Sequence, residues 1–151
     1  MQIIVDDLEG QPIIELLAEH LQDMQSLSPP ESAHALDIEA LKAPDITFWS
    51  AWQDEELLGC GALKEISSTR GEIKSMRTAS AHHRKGVASM LVNNIIEISI
   101  ERGYKQLYLE TGSMVEFEAA RLLYTRFGFS FCPPFSDYEE DPDSLFMMRQ
   151  L

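Results

Sequence analysis

The chain has 151 residues, of which 44% are hydrophobic and 25% charged, which suits one domain with a real core and argues against a disordered chain. Its formal net charge of −13 argues against a nucleic-acid binder and against docking to an anionic membrane surface. No apolar run approaches the ~18 residues of a membrane span, the first residues lack a basic signal region, and Cys60 and Cys132 form neither a CxxC nor a zinc spacing, so a cytoplasmic protein without a structural metal or disulfide framework is expected.

Residues 2–6 suit a strand. Pro12 opens a helix carrying Ile13, Ile14, Leu16, Leu17 and Leu21, since proline is tolerated in a first helical turn. Residues 28–32 read as a loop, and Ser32 is placed to cap a short helix through Leu36, Ile38 and Leu41 that ends before Pro44. Residues 46–52 are rich in β-formers and read as a strand. Residues 57–66 read as its partner, with Gly59 and Gly61 pointing to a bulge or a close backbone approach. A third strand is predicted over 72–78. The spacing then predicts a long helix over 85–102, with one stripe at Val87, Leu91, Ile95 and Ile98 and a second at Val92, Ile96 and Ile100. So wide an apolar face implies burial on more than one side. A strand over 106–110 follows, then a helix over 116–127 with Phe117, Ala120, Leu123 and Phe127 inward, stopped by Gly128. A short strand (129–132), an acidic loop (133–144) and a last strand (145–151) complete a mixed α/β order.

Where the charge sits says more than its total. Residues 1–69 are net −12 and residues 86–151 net −5, whereas residues 70–85 (Arg70, Lys74, Arg77, Arg84 and Lys85 against Glu72) are net +4. This is either chance clustering on a solvated face or an anion-binding spot. The stretch His82-His83-Arg84-Lys85-Gly86-Val87-Ala88 falls between a predicted strand and a predicted helix. A helix start offers unpaired N–H groups and the positive end of the dipole. Small residues at Gly86 and Ala88 let a phosphate approach that backbone, and Arg84 and Lys85 add charge. The segment is not a P-loop, lacking Gly-Lys-Ser/Thr, nor a dinucleotide fingerprint, lacking GxGxxG. A plain helix N-terminus accounts for it equally well in isolation.

Two segments in this order resemble the GNAT family of N-acetyltransferases. The family's Gln/Arg-x-x-Gly-x-Gly/Ala loop is matched by Gly86 and Ala88, with His83 in the first place, and the Leu-x-Val before it becomes Met76-Arg77-Thr78. Further on, Asn-x-x-Ala-x-x-Leu-Tyr-x-x-x-Gly-Phe is similar to residues 117–129. There Ala120, Leu123, Tyr124, Gly128 and Phe129 match and Phe117 replaces the asparagine. Residues 71–78 and 109–113 also resemble a bacterial branch of small-molecule acetyltransferases. The resemblance implies a single domain over 1–151, with a central, mostly antiparallel twisted sheet flanked by helices. It implies acetyl transfer from acetyl-CoA, as co-substrate, to an amine.

The resemblance also implies roles for particular residues. The loop Arg84, Lys85, Gly86, Val87 and Ala88 would bind the cofactor pyrophosphate, and Met76 and Thr78 would pair their backbone with the pantetheine arm as an added strand does. Tyr124 would protonate or hydrogen-bond the departing thiolate; otherwise it is a core aromatic. Glu72 lies six residues before Thr78, the spacing of the general base in the histone-acetylating branch. It is either that base or an exposed carboxylate paired with Lys74. In a regular strand Glu72, Lys74, Met76 and Thr78 share one face. The family's acceptor walls would fall on Glu31 and His34 and on Phe135, Asp137 and Tyr138, whose acidity suits a cationic amine. Arg77 with Lys74 would instead hold a carboxylate. His34 also fits a capping or packing role, and His20 reads as lying on a polar helix face.

The expected activity is acetylation of a small amine or amino acid by direct transfer in a ternary complex. The alternatives are acetylation of a protein N-terminus or lysine, and a non-catalytic acyl-CoA-binding module. Trp49 and Trp52 fit either the core or a homodimer interface.

Overall fold

A computed structural model describes residues 1–27 and 36–151. Strand β1 (Gln2–Val5) leads into helix α1 (Gln11–Leu27) and the one-turn helix α2 (Ile38–Leu41). Strands β2 (Ile46–Gln53), β3 (Glu56–Ser67) and β4 (Arg70–Thr78) follow, then helix α3 (Val87–Glu101) and strand β5 (Gln106–Gly112). Helix α4 (Glu118–Arg126) and strands β6 (Ser130–Cys132) and β7 (Ser144–Gln150) end the chain. The strands form one sheet in the order β1-β2-β3-β4-β5-β7-β6. Among the described strands β4 and β5 pair parallel and the other neighbours antiparallel. A parallel pair needs a crossover, and α3 supplies it.

Each face of the sheet has its own core. On one, α1 and α2 bring Ile13, Leu16, Leu17 and Leu41 onto Phe48, Cys60 and Ala62. On the other, both stripes of α3 (Val87, Leu91, Ile95; Val92, Ile96) and Leu123 and Tyr124 of α4 cover Leu63, Ile73, Leu107, Leu109 and Met147. Trp49 belongs to this second core. Trp52 is half-buried and donates its Nε1–H to Ser50 Oγ at 2.8 Å.

Several element boundaries differ from expectation, for local reasons. The long helix starts at Val87, because Gly86 sits in the left-handed region at φ 82° and cannot continue a right-handed turn. Residues 115–117 form a 3-10 turn, so Phe117 stands at the head of α4 rather than on its inner face. Helix α2 is capped by Asp37, whose carboxylate accepts from the Ala40 N–H at 2.8 Å; the cap expected at Ser32 lies outside the described residues.

Two irregularities shape the middle of the sheet. Ala51 pairs with Gly59 but Trp52 with Leu57, so Leu58 is an extra residue and the region around Gly59 is bulged. Next, Cys60 pairs with Arg77 but Ala62 with Lys74. Gly61 therefore opposes both Ser75 and Met76, with Ser75 at φ 55°. A Cβ at Gly61 would meet Met76 Sδ at 2.5 Å, so a side chain there requires Met76 to move.

This second bulge overturns the expected strand face. Side-chain alternation restarts after Ser75. Glu72, Lys74 and Arg77 face α1, whereas Met76 turns to the α3 side. Thr78 pairs with Gly59, whose missing side chain would touch Val87 of α3.

Candidate active site

Parallel pairing of β4 with β5 runs from Arg70↔Gln106 to Ile73↔Leu109 and then stops. Beyond that point the two strands part, and a cavity of about 420 Å³ occupies the gap. It is reached from both faces of the sheet. From the α1 side it is lined by His20, Asp23, Glu72, Lys74, Arg77, Glu110 and Tyr138; from the α3 and α4 side by Met76, Thr78, Ala88, Ala120 and Tyr124.

On the α3 side the loop 84–86 is exposed beside the cavity, with Arg84 at φ 66° and Gly86 at φ 82°. The first helical bond of α3 runs from the Met90 N–H to the Gly86 carbonyl. The N–H groups of residues 87–89 thus have no helical partner. A Cβ on Gly86 would meet nothing within 4 Å, so the space in front of this helix end is open. Val87 itself is buried in the core, and only its backbone belongs to the loop surface. Lys85 is turned back: its Nζ lies 3.0 Å from His82 Nδ1, while His82 Nε2 lies 2.8 Å from Glu56. Tyr124 is 6% exposed, with its ring edge against Phe129 at 5.8 Å. Burial pushes its phenol well above the usual value, so the hydroxyl is a proton-bearing donor at any physiological pH.

The α1 side is charged. Glu72 is 3% exposed, so the expectation of a solvated surface pair is corrected: the carboxylate is inside the protein. Its Oε2 accepts from Lys74 Nζ at 3.1 Å and from the Tyr138 hydroxyl at 2.7 Å, and Lys74 also reaches that hydroxyl at 2.9 Å. Tyr138 is itself packed against Phe135 and Phe146. Its phenol is pushed far up, first by burial and then by the Glu72 charge beside it. Arg77 donates from one guanidinium nitrogen to Glu19 at 2.7 Å and to Asp23 at 2.6 Å on α1. Its charge is therefore met twice by the protein itself. Glu31 and His34 lie outside the described residues. Asp137 is exposed in the loop after β6, and Phe135 packs on Tyr108, Tyr138 and Phe146.

A model of the acetyltransferase (GNAT) family matches residues 13–129. The chain belongs to this family. It is 57% identical over 151 residues to the uncharacterized N-acetyltransferase YsnE of Bacillus subtilis, with all of both chains covered. It is 46% identical over 149 residues to the uncharacterized N-acetyltransferase YedL of Escherichia coli, covering 99% of this chain and 94% of that one. A GNAT acetyltransferase from Elizabethkingia anophelis, solved with acetyl-CoA bound, superposes with a TM-score of 0.69 at 17% identity, over 99% and 97% of the two chains. The protein is an acetyl-CoA-dependent N-acetyltransferase. The open end of α3 presents unpaired backbone N–H groups, and β4 beyond Ile73 presents an edge that β5 no longer pairs.

Within this acetyltransferase, two residues of the cavity carry perturbed chemistry that sequence patterns did not single out. His20 is 7% exposed and its Nδ1 has no hydrogen-bond partner among the described residues. Burial, with the Arg77 charge, drops its pKa from 6.5 to about 4, so the ring is neutral. Its polar type suggests a surface position, but it stands seven residues after Ile13, on the same stripe as Leu16 and Leu17. Glu110 lines the cavity on β5, and burial raises its pKa to about 7. Alternation with Leu107 and Leu109 puts it on the opposite face, which a sequence reading assigns to solvent.

Proposed function

We propose that the chain works as one domain that acetylates the amine of a small cationic molecule, a simple amine or an amino acid, by direct transfer within a ternary complex. The carrying observation is the cavity itself. It joins the open end of α3 and Tyr124 on one face of the sheet to an acid-rich wall on the other. Four carboxylates (Asp23, Glu72, Glu110, Glu116) and two cations (Lys74, Arg77) line it, and both cations are ion-paired by carboxylates. That excess suits an ammonium and disfavours a lone anion. Direct transfer is supported by the cysteines, neither of which lines the cavity. The thiol of Cys60 is fully buried and raised to about 12, a poor nucleophile.

Bound acetyl-CoA supplies an activated acyl carbon and a thiolate leaving group. Gly86, Val87 and Ala88 offer main-chain N–H groups to its diphosphate, and Arg84 and Lys85 add positive charge at the same loop. The free edge of β4 at Met76 and Thr78 takes the pantetheine amides. Tyr124 holds a proton for the departing sulfur. Glu72, with one oxygen committed to Lys74 and Tyr138, keeps the acceptor wall negative and fixed in shape.

The test is coenzyme A release across polyamines, amino acids, amino sugars and a basic peptide, with mass spectrometry of each acceptor. A small cationic acceptor is expected to be acetylated, and Tyr124→Phe to lower kcat by about 10²–10⁴-fold, the usual worth of a general acid. Acetylation of the peptide alone, or full turnover by Tyr124→Phe, would overturn the corresponding part of the reading.

A further inference from the structure

Among the described residues, His20 Nδ1, Ser75 Oγ and Arg77 Nε are buried polar atoms without a hydrogen-bond partner. All three residues line the same cavity. A buried polar atom left unmet costs the desolvation of that group, so native proteins meet nearly all of them with protein, water or ligand. Three unmet atoms on residues around one cavity point to a group that enters it.

Their chemistry narrows what enters. The Arg77 Nε–H is only a donor, the Ser75 hydroxyl can donate, and a neutral imidazole carries one N–H. His20 is neutral. Glu19 and Asp23 take a terminal nitrogen of Arg77, so Nε is a donor that these carboxylates leave unused. A group that three donors can share is an oxygen of a carbonyl or a carboxylate. A lone anion is disfavoured by the carboxylates around it, but one carried with its own ammonium is not.

The ammonium has one place on this wall. Asp23 and Glu72 are each ion-paired to a cation, whereas Glu110 forms no ion pair among the described residues. Glu110 and Lys74 both follow the last parallel pair, Ile73↔Leu109, and so stand level across the gap. Ser75 is the next residue, about 3.3 Å of strand away. Amine and oxygen therefore fit the short span of an α-amino acid. The rest of the wall is apolar: His20, Asp23, Met24 and Leu27 stand three and four residues apart on one stripe of α1, and all line the cavity.

We propose that the acceptor is an α-amino acid, or its amide, with an apolar side chain. His20, Ser75 and Arg77 bind its carbonyl oxygen, and Met24 and Leu27 cover its side chain. This deepens, and rests on, the amine-acetylation reading given above. It disfavours polyamines and amino sugars, whose further ammonium or hydroxyl groups find no partner against Met24 and Leu27.

Leucine, leucinamide and isopentylamine share one side chain and differ in the carbonyl. With acetyl-CoA, the better of leucine and leucinamide should exceed isopentylamine by about 10–10²-fold in kcat/KM, because the plain amine leaves buried donors unmet. The order of leucine and leucinamide tells a carboxylate from a carboxamide. His20→Phe and Ser75→Gly, the latter suited to φ 55°, should each cut that preference about 3–10-fold. A loss of folded protein lowers all three rates alike and leaves the ratio unmoved. Nitrogen NMR on histidine-labelled protein with coenzyme A bound needs no turnover. There leucine or leucinamide should shift the His20 ring nitrogens, recognised by their absence in His20→Phe, and isopentylamine should leave them in place.

Equal kcat/KM for the three compounds would overturn the proposal and leave ordered water as the partner of the three atoms. So would variants that keep the native preference, or a better rate with spermidine or glucosamine. A panel with no acetylated acceptor would sink the amine-acetylation reading separately. The NMR arm would then decide on its own: a shift with leucine or leucinamide but not with isopentylamine supports the amino-acid site, and any other pattern refutes it.

Discussion

Replacing Lys74 by methionine isolates the energetic centre of the acceptor wall. The substitution keeps most of the side-chain length and removes the charge. In the native chain the Lys74 and Glu72 side chains are 9% and 4% exposed and 3.1 Å apart, with the Tyr138 hydroxyl bonded to both. Without Lys74 the carboxylate stays inside with one hydroxyl for company. Removing one partner of a buried pair costs about 3–5 kcal/mol, because the other charge is stranded. A solvated pair would lose less than about 1 kcal/mol. In a chain of this length each kcal/mol moves Tm by roughly 2–4 °C, so Lys74→Met should melt about 6–20 °C lower. The double variant Glu72→Gln/Lys74→Met removes both charges and should recover most of that loss, since neutral replacements of a buried pair are often nearly neutral in stability. Urea unfolding of the native chain, both single variants and the double variant closes the cycle. A Lys74→Met loss below about 1 kcal/mol, with no coupling to Glu72→Gln, would refute the claim that the pair is desolvated.

Gly86→Val should cost about 1–2 kcal/mol, because a branched side chain resists the left-handed region, and should weaken acetyl-CoA binding by calorimetry. Gly86→Asn, which tolerates that region better, should keep more of both. An unchanged affinity in Gly86→Val would detach the loop from the co-substrate. His20 gives a pH signature: its pKa falls from 6.5 to about 4 on folding. Below pH 6.5 the unfolded chain takes up a proton that the folded chain refuses until about pH 4. The native stability therefore declines across that window by up to about 3 kcal/mol on this account. His20→Gln should flatten that decline, and parallel stability curves for the two proteins would show that the ring is solvated.

What the sequence disclosed depended on how each feature is encoded. The run of strands and helices was legible because hydrophobic period and glycine stops are local signals. The α3 loop was legible for the same reason, since Gly86 writes its backbone angle into the chain. The bulge at Ser75 was not: serine carries no mark of φ 55°, and the extra residue is defined only by what Gly61 faces across the ladder. That one unseen residue reassigned Met76 and Arg77 to opposite faces. Glu110 was hidden for a different reason. Its alternation was readable, but the cover over its face comes from distant parts, with Phe135 and Tyr138 closing over Tyr108 and Phe146. His20 was hidden by its own chemistry. A polar residue type outweighed a spacing that placed it on the buried stripe.

The two halves of the site are therefore held by different means. The crossover from β4 to β5 passes through α3, which puts a helix N-terminus next to the end of β4. The parting of β4 from β5 then opens an edge beside that helix end. Any chain with this connection acquires backbone donors and a strand edge together, whatever its side chains, as expected for open α/β sheets that bind ligands beyond the carboxyl ends of their strands. The acceptor wall has no such guarantee. It is assembled from α1, the loop after β6 and the outward positions of β4 and β5, all of which can change identity without altering the crossover. On the proposed reading, the co-substrate half rests on the connection of the chain and the acceptor half on side chains alone. Substitutions at His20 and Tyr138 are then the ones that should redirect which amine is acetylated while leaving acetyl-CoA binding in place.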